Sequence, residues 1–361
     1  MQDAEEAMLK WRKPQTEGRR VSARGGHAAA VVGSDLLFFG GHCYGGKGKF
    51  DYYSDTMALD LETNTWHKVR TGGRAPTARY GHRASVVGER MYIFGGSGPN
   101  GKLHNEVFFL DTTTWCWVEV TATNAGPRPR FNHAQTLVGD KIVIHGGWNG
   151  TECFDDMWIF DTATSTWIEP QVSGKPPSAR QGHNMELTFD GRIIVFAGST
   201  MNEGGYPGYL NDVWSLDIET MVWTRPGIAG DVVEPRMYAA SCMLGKYFIC
   251  IGGFILRKDK QKRLEAEASD GVGQRIKNPI RADRIIALDT EKLEWFSPQF
   301  FGNCPDDSYG QSISLAADQV ILYGGWGGNR ALDELFVGQG LGAIELSLEE
   351  QRAEAEREEL G

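Results

Sequence analysis

Four histidines, His27, His82, His133 and His183, each stand three residues after an arginine, at Arg24, Arg79, Arg130 and Arg180. Imidazole is the commonest metal ligand and guanidinium forks onto carboxylates and phosphates, so metal binding, acid–base catalysis and anion capture are the chemistries to weigh. Metal binding fits poorly, because the histidines recur in register with a repeating unit, and a shared hydrogen-bonding role accounts for them without a ligand. The six cysteines, Cys43, Cys116, Cys153, Cys242, Cys250 and Cys304, form no C-x-x-C pair, which speaks against a zinc site or a disulfide framework. Gly41 to Gly48, GHCYGGKG, approaches the phosphate-cradling G-x-x-x-x-G-K-[ST]. Gly48 stands where the magnesium-holding hydroxyl belongs, however, and the segment leaves a strand without opening a helix. No G-x-S-x-G nucleophile elbow occurs. The expectation is a chain with no catalytic residues, no metal and no cofactor.

The elements that must carry these residues repeat. A Gly-Gly-type pair follows a short apolar run six times, at Gly40-Gly41, Gly95-Gly96, Gly146-Gly147, Ala197-Gly198, Gly252-Gly253 and Gly324-Gly325. After each pair comes a variable loop. An apolar run ending in Asp follows in five units (Asp60, Asp111, Asp161, Asp217, Asp289), with a Trp six positions on (Trp66, Trp117, Trp167, Trp223, Trp295). Ahead of each Gly-Gly run lies R-x-x-H or a degenerate copy, Arg236 to Ala239 and Ser308 to Gln311. Each unit reads as four short strands with turns between them and no helical periodicity. One four-stranded sheet cannot cover both its faces, so the units must stack around an axis.

The doubled Gly, the Asp and the Trp at fixed offsets resemble the kelch motif, from about Trp11 to Val337. The L-D-x-x-T-x-x-W variant resembles kelch-only proteins of the Rab-effector, host-cell-factor-like and acyl-CoA-binding kinds more than the cullin adaptors, whose BTB domain has no counterpart here. The fold expected is all-β: a six-bladed kelch β-propeller over 1–340 with a short acidic helical tail over 341–361. The unit count predicts how the ring closes. The sixth unit ends at Leu332 to Gly338 with no following Trp, while Met8 to Pro14 is an unassigned strand containing Trp11. Placed as the outer strand of the sixth blade, that segment supplies the missing Trp and removes an open edge.

On such a frame the arginines, joined by Arg236, form a ring near one mouth of the central channel. Two readings stay open: struts salt-bridged within their own blades, or an electropositive mouth for a carboxylate or acidic peptide. The loops after the Gly-Gly pairs share that face and carry Tyr44, Tyr52, Tyr53, Trp148, Phe154, Tyr206, Tyr209 and Trp326. Aromatics beside arginines are the composition of interaction hot spots. The candidate partner-binding set is therefore Arg24, Arg79, Arg130, Arg180, Arg236, Tyr44, Tyr53, Trp148, Tyr206 and Trp326. Two additions depart from a minimal propeller: a basic insertion in the fifth unit over 255–281, read as a mobile loop, and the acidic tail, whose helix is solvated or docks on a partner.

Composition narrows the function. The 361 residues carry a formal charge of −10, which argues against a general nucleic-acid binder. No apolar run reaches the length of a signal peptide or membrane span, so the expected location is cytoplasmic, with a cytoskeletal or ciliary assembly among the candidate settings. The function expected is a non-catalytic scaffold that holds a protein partner at the loop face. The rivals are a small-molecule-binding or enzymatic propeller using the channel as a pocket, and the substrate receptor of a ubiquitin ligase.

Overall fold

The computed structural model describes residues 8–201, 207–255, 285–305 and 308–340. Tyr206, nearly all of the basic insertion and the C-terminal tail lie outside the described residues.

Six blades, each of four antiparallel strands, stand around a central channel, as the repeats predict, and five of them gain a short parallel strand at the outer edge. Blade 1 runs from its inner strand Ala28–Val32 through Asp35–Phe39 and Thr56–Asp60 to the outer strand Thr65–Lys68. Blades 2 to 5 repeat this order, with inner strands Arg83–Val87, Ala134–Val138, Asn184–Leu187 and Ala240–Leu244. In blade 6, Ser312–Ala316, Gln319–Tyr323 and Leu335–Gly340 are joined by Met8–Arg12 from the other end of the described chain. Neighbouring inner strands touch all the way round, including Ala28–Val32 against Ser312–Ala316 at the seam.

Local chemistry explains the repeated residues. The second strand of each blade lies between two neighbouring sheets, so after its first residue it is buried continuously rather than in alternation; Leu36 to Phe39 are all buried. The Asp ending each third strand turns the chain, because Asp60 Oδ1 accepts the amides of Glu62 and Thr63 at 2.9 and 2.8 Å. Asp111, Asp161, Asp217 and Asp289 do the same in their blades. The Trp of each outer strand packs against the preceding blade. Trp117 of blade 2 meets Phe39 of blade 1 at 5.0 Å and donates from Nε1 to Thr56 Oγ1 at 3.1 Å. Trp167 lies on Phe94, Trp295 on Phe196 and Trp66 on Tyr323, one blade back in every case.

The clasp takes the predicted position. Met8–Arg12 pairs antiparallel with Leu335–Gly340, setting Trp11 opposite Gly338, and parallel with Gln299–Gly302. Trp11 is 1% exposed and packs in one cluster with Ile249, Ile251 and Ala287 of blade 5, the neighbour that the sixth Trp should have. A side chain at position 338 would collide with it, since a Cβ there would lie 2.9 Å from the indole ring. Deleting residues 1–14 should therefore lower the thermal midpoint by several degrees, and Trp11→Ala should cost about 3–5 kcal/mol as a buried-aromatic truncation does. Calorimetry checks both; an unchanged melting curve would mean that the ring closes without this strand.

Candidate functional site

The R-x-x-H tetrads build the upper end of the channel, and each of their four positions has its own duty. The third position is Gly26, Gly81, Asn132, Gly182, Tyr238 or Gly310, always in the left-handed region with φ between 56° and 68°. That conformation turns the amide toward the preceding blade and the carbonyl toward the next. Gly26 donates to Gly310, Gly81 to Gly26, Asn132 to Gly81, Gly182 to Asn132, Tyr238 to Gly182 and Gly310 to Tyr238, at 2.7–2.8 Å. Six hydrogen bonds thus close a circle around the axis.

The first position carries the arginines, all 0–1% exposed. Arg24 donates to the Gly40 carbonyl at 2.9 Å and forks onto Asp55 at 2.6 and 3.0 Å. Arg130 does the same with Gly146 and Asp156, and Arg180 with Ala197 and Asp212. Arg79 holds the Gly95 carbonyl and pairs with Glu106 at 3.5 Å, while Arg236 holds the Gly252 carbonyl. Their own backbone carbonyls, with that of Ser308, accept from the second glycine of the preceding blade at 2.8–3.0 Å, a second circle outside the first. The guanidinium groups are thus spent on bracing the Gly-Gly corners. They are buried and do not line the bowl, and Arg24, Arg130 and Arg180 have the placement of struts salt-bridged within their own blades.

The histidines at the fourth position pack against the neighbouring blade. His82 lies where a Cβ on Gly40 would come within 2.7 Å of its ring, and His183 stands likewise under Gly146 at 2.9 Å. His27 shares a 2.7 Å hydrogen bond with Ser312, and His183 one of 3.0 Å with His145. Burial, reinforced by the neighbouring arginine, drives the pKa of His27 down to about 3, and burial holds His82, His133 and His183 well below their ordinary value. They are uncharged wedges. Among the described residues no three His, Cys, Asp or Glu side chains cluster as metal ligands would.

Above the hydrogen-bonded circle lies a bowl of about 690 Å³ lined by His42, Tyr44, Phe50, Tyr80, Phe131, Tyr238, Tyr309 and Trp326, with Gly26, Asn132 and Gly310 at its floor. His42 is its hub, 4.1 Å from Tyr80 and 5.1 Å from Trp326 between ring centroids. Burial lowers the pKa of His42 to about 4, so it is neutral. Of the residues predicted to bind, the bowl gathers Tyr44 and Trp326. Tyr53 instead covers Arg24, 4.0 Å from guanidinium carbon to ring centroid, and Trp148 is half-buried beside Phe131 without lining the bowl. The residues missed, Tyr80, Phe131 and Tyr309, occupy the second tetrad position. Each exchanges backbone hydrogen bonds with the residue just after the Gly-Gly pair of its own blade, Ser97, Trp148 or Trp326, and of these partners Trp326 also lines the bowl. Also missed was the acid before the third strand in five of the six blades, Asp55, Glu106, Asp156, Asp212 and Glu334, which the repeat alignment displays once the arginine is given a partner.

Two hairpins form one lip of this bowl: His42–Gly46 with Lys49–Tyr52 from blade 1, and Trp326–Gly327 with Arg330–Ala331 from blade 6. They touch each other. Tyr44 and Phe50 are 48% and 46% exposed there, and the exposed Lys47, Lys49 and Arg330 have no ion-pair partner among the described residues. The strut geometry makes a prediction. Arg130→Ala strands Asp156 and frees the Gly146 corner, so it should cost roughly 3 kcal/mol, read as a lower denaturant midpoint. The carboxylates add a pH limb. Glu106 is held down to about 2, chiefly by its hydrogen bond with His104, and arginine overrides burial to keep Asp156 and Asp212 below the usual range. Their stabilisation is present above the unfolded carboxylate range and lost as pH falls through the depressed values, so melting should drop steeply between about pH 4.5 and pH 2. Glu106→Gln should flatten part of that fall.

Comparison with known proteins agrees with this architecture. A family model described as the KLHDC2/KLHL20/DRC7 Kelch-repeats domain matches residues 5–84 and 43–253. Acyl-CoA-binding domain-containing protein 4 of Arabidopsis thaliana is 30% identical over 309 residues, covering 84% of this chain and 34% of that protein. Host cell factor of Drosophila melanogaster is 28% identical over 255 residues, 66% of this chain and 17% of its own length. Human Kelch domain-containing protein 3 is 32% identical over 160 residues, 41% of each chain. The chain thus spans less than half the length of these relatives. Six sheets, the buried outer-strand Trp, the Gly-Gly corners and the matched family model together place this chain in the kelch-repeat family, whose propellers serve as protein-interaction modules.

Proposed function

We propose that the chain is a non-catalytic scaffold that grips a protein partner at the aromatic bowl, taking an acidic segment with an aromatic or aliphatic anchor. The observation that carries this reading is the lip itself. In a chain of formal charge −10, three cations with no ion-pair partner among the described residues share two touching hairpins with exposed Tyr44 and Phe50, against one exposed carboxylate there, Asp51. The bowl wall adds no charge of its own, so an apolar side chain can enter while carboxylates stay at the rim, where attraction costs little desolvation. The electropositive element of the sequence reading thus moves from the buried arginines to Lys47, Lys49 and Arg330. All six cysteines are free, which supports a reducing compartment such as the cytoplasm. No helix among the described residues is long and apolar enough to cross a membrane.

Selection from a random peptide library on the immobilised chain tests the reading. Enrichment of Asp and Glu around a single apolar or aromatic residue is the expected result. Tyr44→Ala with Phe50→Ala should weaken a selected peptide at least about tenfold with melting nearly unchanged, since both side chains are half exposed. Reversing Lys47, Lys49 and Arg330 to Glu should lower the association rate and its salt dependence. Selection of neutral or basic peptides, or capture that survives the triple reversal, overturns the proposal.

A further inference from the structure

Below the hydrogen-bonded circle the channel widens into a second cavity of about 440 Å³, lined by side chains from all six inner strands. Most of the lining is small or neutral: Ala28, Ala84, Ala134, Ser241, Ser312 and Ser314. Two residues are not. Arg83 opens the inner strand of blade 2, and Glu186 sits on the inner strand of blade 4 with blade 3 between them. They are the cavity's only Arg, Lys, Asp or Glu among the described residues. The other titratable groups in the lining, His27, His183 and Cys242, are held uncharged by burial.

The two charges do not meet. Arg83 donates from Nε to the His133 carbonyl at 3.2 Å, and no carboxylate among the described residues lies within ion-pair distance of it. Its two terminal amino groups have no protein acceptor among the described residues. Glu186 takes one hydrogen bond, 2.7 Å from Ser241 Oγ, and Ser241 is itself fixed by Asn184 at 2.9 Å. Isolated charges drawn away from bulk water are costly unless compensated. Burial raises the carboxyl of Glu186 to about 7 and lowers Arg83 from its ordinary value, so attraction across the channel does not offset the desolvation of either group. The volume lies in the range of small-molecule sites. A site with one anchored cation, one anchored anion and neutral walls between matches a ligand bearing the complementary pair.

We infer that the lower channel is a binding site for a small zwitterion of amino-acid size, its carboxylate forked by Arg83 and its ammonium held by Glu186. The site lies on the other side of the circle from the bowl, so it stands or falls separately from the partner-binding reading.

Titration calorimetry of the full chain with glycine, β-alanine, 4-aminobutyrate and 6-aminohexanoate measures both binding and the charge separation the site prefers. One member should bind saturably and at least about tenfold tighter than butylamine or butyrate, a difference of about 1.4 kcal/mol. Arg83→Met and Glu186→Gln should each weaken that member by a similar factor. Carbon-detected NMR of the Glu186 carboxyl should show its titration moving to lower pH in the presence of that ligand, because an ammonium favours the ionised form. Absence of saturable binding by every member, equal binding of butylamine or butyrate, or affinity that survives both substitutions overturns the inference. Should a variant fail to fold, the comparison of zwitterions with their monofunctional controls on the unaltered chain decides alone.

Discussion

Everything at the top of this propeller depends on one backbone constraint, a left-handed residue at the same place in six successive blades. Only that conformation lets a single residue present its amide to one neighbour and its carbonyl to the other, so the circle from Gly26 to Gly310 closes without a side chain. A Cβ in this region is strained, which is why four of the six positions are Gly and a fifth is Asn. Tyr238 is the exception, and its surroundings answer for it: Asn132 Nδ2 donates to its hydroxyl at 3.0 Å, and its side chain lines the bowl. The strain of one bulky residue is held where the structure uses the side chain.

From that circle the remaining repeated residues follow. The tetrad arginine must reach the Gly-Gly corner of its own blade, because its backbone carbonyl is already fixed to the corner of the preceding blade. With guanidinium and carbonyl both engaged, it couples two blades. The histidine next to the circle has only the space above the neighbour's first glycine, so a compact, neutral ring fits and a charged one does not. Stiffness comes from this double circle together with the Trp wedges, which leaves the loops beyond the Gly-Gly pairs free to differ. The blade 1 hairpin with Tyr44 and Phe50 is one product of that freedom.

How much of this could be read in the sequence depended on whether a feature repeats. Blade number, the Trp positions and the clasp were legible because each leaves the same residue type at a fixed offset, and a count that fails by one points to the terminus that repairs it. The arginines were legible as a ring, with struts one of the two readings open for them, but their partners were not, since Asp55, Asp156 and Asp212 stand about thirty residues away across a loop of varying length. Tyr80, Phe131 and Tyr309 escaped notice for the opposite reason. They sit inside the repeat, at a position where blade 1 has Gly25 and blade 4 has Gln181, so variation there looked like noise although variation is what a binding surface requires.

The two degenerate units show how far the repeat can lapse without opening the ring. In blade 6 the arginine is replaced by Ser308, which leaves Glu334 in the acid position without its usual partner. Lys13, just past the clasp strand, takes that place at 2.7 Å, so the terminus that completes the sheet also supplies the missing cation. The pair is partly exposed and weak by itself, but it lies at the seam where the ring is joined by pairing between the two ends of the described chain. In blade 5 the sequence reads Arg284 where the other units have an acid, and among the described residues Arg236 pairs with no carboxylate, holding the carbonyls of Gly252 and Glu234. Both lapses fall in adjacent blades beside the seam, and the circle of backbone hydrogen bonds passes through both unbroken, at 2.8 Å from Tyr238 to Gly182 and from Gly310 to Tyr238. The backbone circle is therefore the invariant of this fold, and the arginine struts are reinforcement that a blade can lose where the clasp or its neighbours hold it in place.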